Sequence, residues 1–317
     1  MNPELTRVAA RQGGVFSRLQ AMIAGYAPDQ IRDRLKDGRW ERLRHGQYAE
    51  AVDLRNSEAW DRHVFRHRRL VHAAVNAMRP GSVVVSHYSA LLLHGIPVWG
   101  ADLEEVQLTR LTGRSRLKAG TRHHEGQLTP AELTEVDALV VTSVERALVE
   151  NASRASFEAA VVSADAALRR PQVSAEVLRR HLETTECWPG SPTIRSAIAF
   201  ADPLSESVGE SRLRVVMRNE GLPRPVLQAT FSDDVGFIGR VDFYFPDENT
   251  IVEFDGMVKY TDGSATTLIR EKLREDRLRA LGLEIVRITW ADLEHPARTA
   301  LLIRQAFARA RRTRLAG

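Results

Sequence analysis

Asp242, Glu253 and Asp255 are the residues whose types and spacing could do chemistry. They stand in IGRVDFYF and TIVEFDG, two runs of alternating apolar residues around Pro246-Asp247-Glu248-Asn249. That pattern predicts a β-hairpin. With a loop running from Pro246 to Asn249, Phe245 pairs with Thr250, Asp242 falls opposite Glu253, and Arg240 falls opposite Asp255. Side chains alternate faces along a strand. Asp242, Tyr244, Ile251, Glu253 and Asp255 are therefore expected on one face, and Val241, Phe243, Phe245, Val252 and Phe254 on the other. Directly opposed residues have Cβ atoms about 5 Å apart, and like charges there destabilise a sheet. A divalent cation turns that repulsion into coordination. An antiparallel strand with one wet face would also carry acids, but the third acid, followed by Gly256 and Lys259, tips the pattern toward a metal site.

The elements that must position these acids begin at Pro203. A helix, SESVGESRLRVVMRNEG, runs to Gly221, and VLQATF reads as a strand before the hairpin. TLIREKLREDRLRALG is a helix stopped by Gly282, LEIVRIT is a buried strand, and Pro296 opens a last helix. Helix, three strands, helix, strand, helix predicts an α/β/α sandwich around a mixed sheet.

This order resembles the PD-(D/E)xK nuclease superfamily, and most closely the very-short-patch-repair-like, restriction-endonuclease-like domains. The residues that carry the resemblance are Glu210 in SVGESRLR, Asp242 in RVDFYFP, and Glu253 and Asp255 in VEFDGMVKY. The superfamily's lysine normally stands where this chain has Asp255. Lys259 follows four residues later and Lys272 lies on the next helix. The resemblance implies that Asp242, Glu253, Asp255 and Glu210 hold Mg2+ or Mn2+. The ion would polarise a scissile phosphate and activate a water, and Lys259 would orient that water or offset phosphoryl charge. Arg270, Arg274 and Arg277 either line a DNA path or pair with Glu271 and Glu275. The six arginines after Pro296 (298, 304, 309, 311, 312 and 314) either grip phosphates or form a solvated end.

At the other end of the chain, Ser17 can cap a short helix with Leu19, Met22 and Ile23 inward. Pro28 opens a second helix, PDQIRDRLKDG, which buries Ile31 and Leu35 and stops at Gly38. Strands WERLR and QYAE follow, joined at His45-Gly46. Helix, turn, helix and β-wing is the layout of a winged helix-turn-helix. Gln30, Arg32 and Lys36 on the second helix could reach base edges, and Arg39, Arg42 and Arg44 of the wing could reach phosphates. A solvated amphipathic helix with local ion pairs is the competing reading. The stretch GGVFSRLQAMIAGYAPDQIRDRLKDGRWERLRHGQYA also resembles the N-terminal domain of AbiEi-type antitoxins, transcriptional autoregulators of type IV toxin–antitoxin systems. That implies DNA binding.

In the middle, SEAWDRHVFRHRRLVHAAVNAM is helical, with Arg62, Arg66 and Arg69 on one face. SHYSALLLHG and VTSVERALVENA resemble the domain that follows the winged helix in AbiEi-like proteins. RLTGRSRLKAGTRHHEG reads as a basic loop or loose hairpin, in which Arg110, Arg114, Arg116, Lys118 and Arg122 could follow a phosphate backbone. His87 and His94 read as structural. His123-His124 has no cysteine or acid cluster beside it in sequence, and no catalytic constellation is visible in this stretch.

The 317 residues, with a net charge of +4 and 43% apolar and 27% charged residues, are ordinary for a globular protein of two or three domains, and the order of helices and strands makes the expected class multidomain α/β (α+β). The expected divisions are a winged helix over 1–52, an α/β middle domain over 53–202 and a nuclease-like domain over 203–317. No apolar run spans a membrane, no signal-peptide core opens the chain, and the single cysteine, Cys187, makes no internal disulfide. A cytoplasmic location is expected, with double-stranded DNA as partner, no membrane, and a homodimer as an open option. The leading expectation is a Mg2+-dependent DNA endonuclease delivered to duplex DNA by the winged helix. The alternative is a DNA-binding transcriptional regulator of antitoxin type that does not cut.

Overall fold

The computed structural model describes residues 1–110, 116–183, 188, 190–256 and 265–316. It is a mixed α/β chain of two compact units, Met1–Ser163 with Gln172–Ser196, and Ala164–Pro171 with Ala197–Gly317.

The first unit opens with α1 (Pro3–Ala10), β1 (Val15–Ser17), α2 (Arg18–Ile23), α3 (Pro28–Lys36), β2 (Trp40–Arg44) and β3 (Gln47–Glu50). Each start has a local cause. Asn2 Oδ1 accepts the Leu5 amide at 2.9 Å. Ser17 and Gln20 close a reciprocal cap, each side chain accepting from the other's backbone N–H, at 3.1 and 2.7 Å. The three strands order β1-β3-β2 and pack with the helices around Leu5, Phe16, Ile31, Trp40 and Tyr48. This is the expected winged helix-turn-helix order. One expectation is corrected. Leu19, Met22 and Ile23 are exposed, and α2 turns Ala21 inward, followed by Ala24. The small side chains let α2 lie close to the core, so the larger ones face out.

The unit continues with α4 (Ala59–Asn76), β4 (Val83–Val85), α5 (His87–Leu93), β5 (Val106–Arg110), β6 (Arg116–Lys118), β7 (Thr121–Glu125), β8 (Leu133–Val136), β9 (Leu139–Thr142) and α6 (Val144–Ala152). The strands order β6-β7-β5-β4-β9-β8. From Arg116 onward, the basic stretch forms a hairpin with β7, turned by Ala119 and Gly120 in left-handed conformations. The α4 arginines are structural. Arg66 pairs with Glu104 at 2.7 Å, Arg69 with Glu41, and Arg62 donates to the Ser57 carbonyl. Helices α7 (Phe157–Leu168), α8 (Ala175–Glu183) and α9 (Ser191–Phe200) follow, the residues of α7 and α9 being divided between the two units. No helix among the described residues is long and apolar enough to cross a membrane.

The second unit holds α10 (Val208–Asn219), β10 (Val226–Asp233), β11 (Gly236–Phe245), β12 (Thr250–Asp255), α11 (Ala265–Ala280), β13 (Glu284–Thr289), α12 (Trp290–Leu293) and α13 (Pro296–Ala316). Its strands order β10-β11-β12-β13, antiparallel up to β12 and parallel between β12 and β13. This is the expected element order with the short α12 added. One sheet face packs Leu213, Met217, Phe243, Phe245, Val252, Ile303 and Phe307, and a second cluster joins Ile238, Val241, Ile251, Leu278 and Ile285.

Candidate nucleic-acid interface

Winged helix-turn-helix domains present their second helix to the DNA major groove, and here α3 is built for presentation. Pro28 sets its first turn, Gly38 ends it at φ +75°, and Ile31 anchors its inner side. Arg32, Asp33 and Lys36 are exposed on the outer side. Gln30 is exposed too, but its Oε1 accepts the Ala27 amide at 3.0 Å, so only its amide N–H groups remain for a base edge. Arg34 is held back from solvent, its guanidinium 5.0 Å from the Tyr26 ring and 5.4 Å from that of Trp40.

The wing arginines differ among themselves. Arg42 is exposed on β2. Arg39 is exposed but paired with Asp37, its Nε donating to Oδ2 at 2.7 Å, and this contact holds the Asp37 carboxyl below its usual range. Arg44 donates to the Ala119 carbonyl and is half-buried, so it supports the β6–β7 hairpin rather than facing outward. Arg32, Lys36 and Arg42 are therefore the outward-facing cations of α3 and the wing, while Arg39 is exposed but paired with Asp37.

In the second unit the expected hairpin register holds: Phe245 pairs with Thr250, Tyr244 with Ile251 and Phe243 with Val252. The loop residue Asn249 adopts the left-handed conformation, φ +43°. The expected facing of the acids is altered one step further on. Gln228 of β10 has φ +53° and stands between the pairs Leu227–Phe243 and Ala229–Val241. Leu227 packs with the Phe243 cluster, whereas Ala229 and Val241 pack with Ile251 and Leu278. Face alternation breaks at Gln228 and Asp242, which is why Val241 does not share a face with Phe243. The β11–β12 ladder stops here, and Asp242 Oδ2 accepts the Phe254 amide at 2.8 Å in its place.

Glu210 is buried on α10, bonded to the Glu206 amide at 2.8 Å and to Gln228 Nε2 at 3.2 Å, and burial raises its pKa. Glu253 is held from the α11 side by Arg274, Nη2 to Oε1 at 2.5 Å, with Arg287 at 3.9 Å. Arg274 also donates to the Arg240 carbonyl at 3.1 Å. Asp255 ends β12, and Lys259 lies outside the described residues, as does Arg114. Among the described residues no three acid, histidine or cysteine side chains converge on one point, and the counter-charge of Glu253 is a guanidinium.

The other basic groups are mostly engaged. Arg277 pairs with Asp233 at 2.5 Å, Arg309 with Glu284 at 2.6 Å and Arg311 with Glu248 at 2.6 Å, while Arg304 donates to the Glu220 carbonyl. Arg270, Lys272, Arg298 and Arg312 are exposed.

Sequence reasoning missed a cleft in the first unit lined by His87, Thr109, His124, Arg146, Glu150, Arg154 and Trp188, among others. His94 is structural as expected, its Nε2 bonded to the Thr142 carbonyl at 2.8 Å. His87 is not so simply explained. It adopts φ +52° at the turn from β4 to α5, a conformation uncommon for a residue with a side chain. No local spacing announces the cleft, because its residues come from separate strands and helices.

Residues 3–51 match the family described as transcriptional regulator, AbiEi antitoxin. The uncharacterized proteins MT2308 and Rv2248, from two strains of Mycobacterium tuberculosis, are each 30% identical to this chain over 229 residues, covering 71% of this chain and 83% of theirs. The N-terminal domain is thus an AbiEi-antitoxin-like regulator domain.

Proposed function

We propose that this chain, which belongs to the family of the Mycobacterium tuberculosis proteins MT2308 and Rv2248, is a DNA-binding transcriptional regulator of the AbiEi antitoxin type. The observation that carries the reading is the AbiEi-like domain over residues 3–51 presenting Arg32 and Lys36 on the outer side of its second helix-turn-helix helix. Phosphate contacts from Lys36, Arg42 and a released Arg39 fix position on the duplex, and Arg32 with the Gln30 amide reads base edges. Asp29 and Asp33 on the same helix oppose indiscriminate phosphate binding, which favours a specific site over general DNA coating. Selection of bound duplexes from a random pool tests this. An enriched motif that Arg32→Ala no longer recovers supports it, and an unenriched pool contradicts it.

The second reading is a metal-dependent endonuclease. It is favoured by one observation: the helix–three strands–helix–strand order of the second unit, with Asp242 where the hairpin ladder ends and Glu253 on the neighbouring strand. Against it stands Arg274 bonded to Glu253. Plasmid incubated with Mg2+ or Mn2+ decides. Nicking abolished by both Asp242→Ala and Glu253→Ala would restore the enzyme, whereas binding without cleavage leaves the regulator.

A further inference from the structure

The cleft beside β5, β7 and α6 has a volume of about 990 Å3 and lies within the first unit. Ligand pockets fall at roughly 300–1,000 Å3 and combine apolar walls with a few convergent polar groups. Here the polar groups can be assigned one by one.

Thr109 and His124 are register partners on the parallel strands β5 and β7. Both are buried, and the Thr109 hydroxyl has no hydrogen-bond partner among the described residues. Buried polar atoms are normally satisfied, so an orphan hydroxyl in a cleft wall points to a missing partner. The His124 tautomer follows from its neighbour. Gln107 donates from Nε2 to the Glu105 carboxylate and to the Tyr88 hydroxyl, both at 2.8 Å, so its Oε1 faces His124 Nε2 at 2.6 Å. Nε2 therefore carries the proton and Nδ1 offers a lone pair. A hydroxyl and an imidazole acceptor, side by side, match the alternating donor and acceptor edge of a nucleobase.

His87 stacks on His124, centroids 3.6 Å apart at 17°. Burial keeps both imidazoles neutral, His124 with a pKa of about 4. The buried Glu150 accepts the His87 backbone N–H at 3.2 Å through Oε2, and the His87 ring Nδ1 lies 3.0 Å from Ser86 Oγ and 3.8 Å from that carboxylate oxygen. Arg146 in turn holds Glu150 at 2.9 Å and Glu132 at 2.7 Å, and its guanidinium lies 4.7 Å from the Trp188 ring. One inner guanidinium thus serves two carboxylates. At the mouth, Arg154 is exposed, its charge felt by both histidines, with no carboxylate partner among the described residues. Glu125 is exposed at the same rim, and Arg180 pairs with Glu176 at 3.4 Å.

We propose that this cleft is a binding site for a nucleotide, with the base against Thr109, His124 and the histidine stack and the phosphate at Arg154. The planar faces of the stacked imidazoles and Trp188 suit an aromatic body. The exposed Arg154 guanidinium at the mouth suits a terminal phosphate.

Isothermal titration of the full chain with AMP, GMP, CMP and UMP, their nucleosides and inorganic phosphate tests the site without DNA, so its outcome is independent of the regulator reading. At least one nucleotide is expected to bind saturably, one per chain. Thr109→Val removes the hydroxyl at nearly constant volume and should weaken binding about tenfold, the loss of one well-placed hydrogen bond. Arg154→Ala, at an exposed position that leaves the fold intact, should weaken nucleotide binding while leaving the nucleoside unchanged. No saturable binding of any nucleotide up to millimolar concentration overturns the proposal, as does binding that both variants leave unchanged. Equal affinity for inorganic phosphate alone would reduce the site to an anion site and also overturn it.

Discussion

Arg274 Nη2 lies 2.5 Å from Glu253 Oε1, so the acid at the centre of the hairpin meets a guanidinium carried by the next helix. Glu253 is 15% exposed and Arg274 20%, which makes the pair more than a surface contact. Arg274→Ala should destabilise the second unit by about 1–3 kcal/mol, below the 3–5 of a fully buried pair. Urea denaturation checks it. The same variant frees Glu253 for a cation, so a gain of Mg2+-dependent stabilisation would revive the nuclease reading, and none is expected.

Gly209 on α10 approaches the Phe254 ring so closely that a Cβ there would come within 1.9 Å of a ring carbon. Gly209→Ala must therefore push α10 off the sheet. A loss of about 3 kcal/mol or more is expected, at the upper end of overpacking costs. Phe254→Leu in the same background should recover part of it, as a thermal-melt comparison of single and double variants would reveal.

Arg277 holds the Asp233 carboxyl at a pKa of about 2 through its hydrogen bond. A depressed carboxylate contributes stability above the unfolded-state value near 3.9, and that contribution is lost as pH falls through the folded-state value. The second unit should therefore lose stability between about pH 4 and pH 2, and Asp233→Asn should flatten that segment of the stability profile. An unchanged slope in the variant would show that other carboxylates carry it.

Asp165 and Arg214 form a buried pair at 2.7 Å, and Asp165 also accepts the Asp202 amide at 2.8 Å. Asp165→Ala leaves the Arg214 charge buried and should cost about 3–5 kcal/mol. Asp165→Asn, which keeps an acceptor, should cost less. Chemical denaturation of the two variants side by side checks the order.

Much of this architecture was legible because local chemistry announced it. Pro28 and Gly38 bracket α3, and Pro246 to Asn249 set a loop length from which the pairing of Phe245 with Thr250 follows. The break at Gln228 was not legible, since glutamine carries no signal for a left-handed residue inside a strand. It moved Val241 to the other face and turned Asp242 toward the Phe254 amide. The inward face of α2 was misassigned because a six-residue helix contains too few turns for periodicity to choose between Ala21 and Leu19. The engagement of Arg44 and Arg274 depends on partners far away in sequence, Ala119 and Glu253. The cleft around His124 has the same origin, since Thr109, Glu150 and Trp188 meet it only in three dimensions.

The most direct measurement is the salt dependence of duplex DNA affinity, by fluorescence anisotropy, for the full chain and for the Arg32→Ala/Lys36→Ala double variant. Each phosphate contact contributes a slope of about 0.9 to the fall of log K with log salt concentration. The account predicts weaker binding by the variant and a slope reduced by about 1 to 2. Identical affinity and slope for the two proteins would contradict DNA recognition through α3.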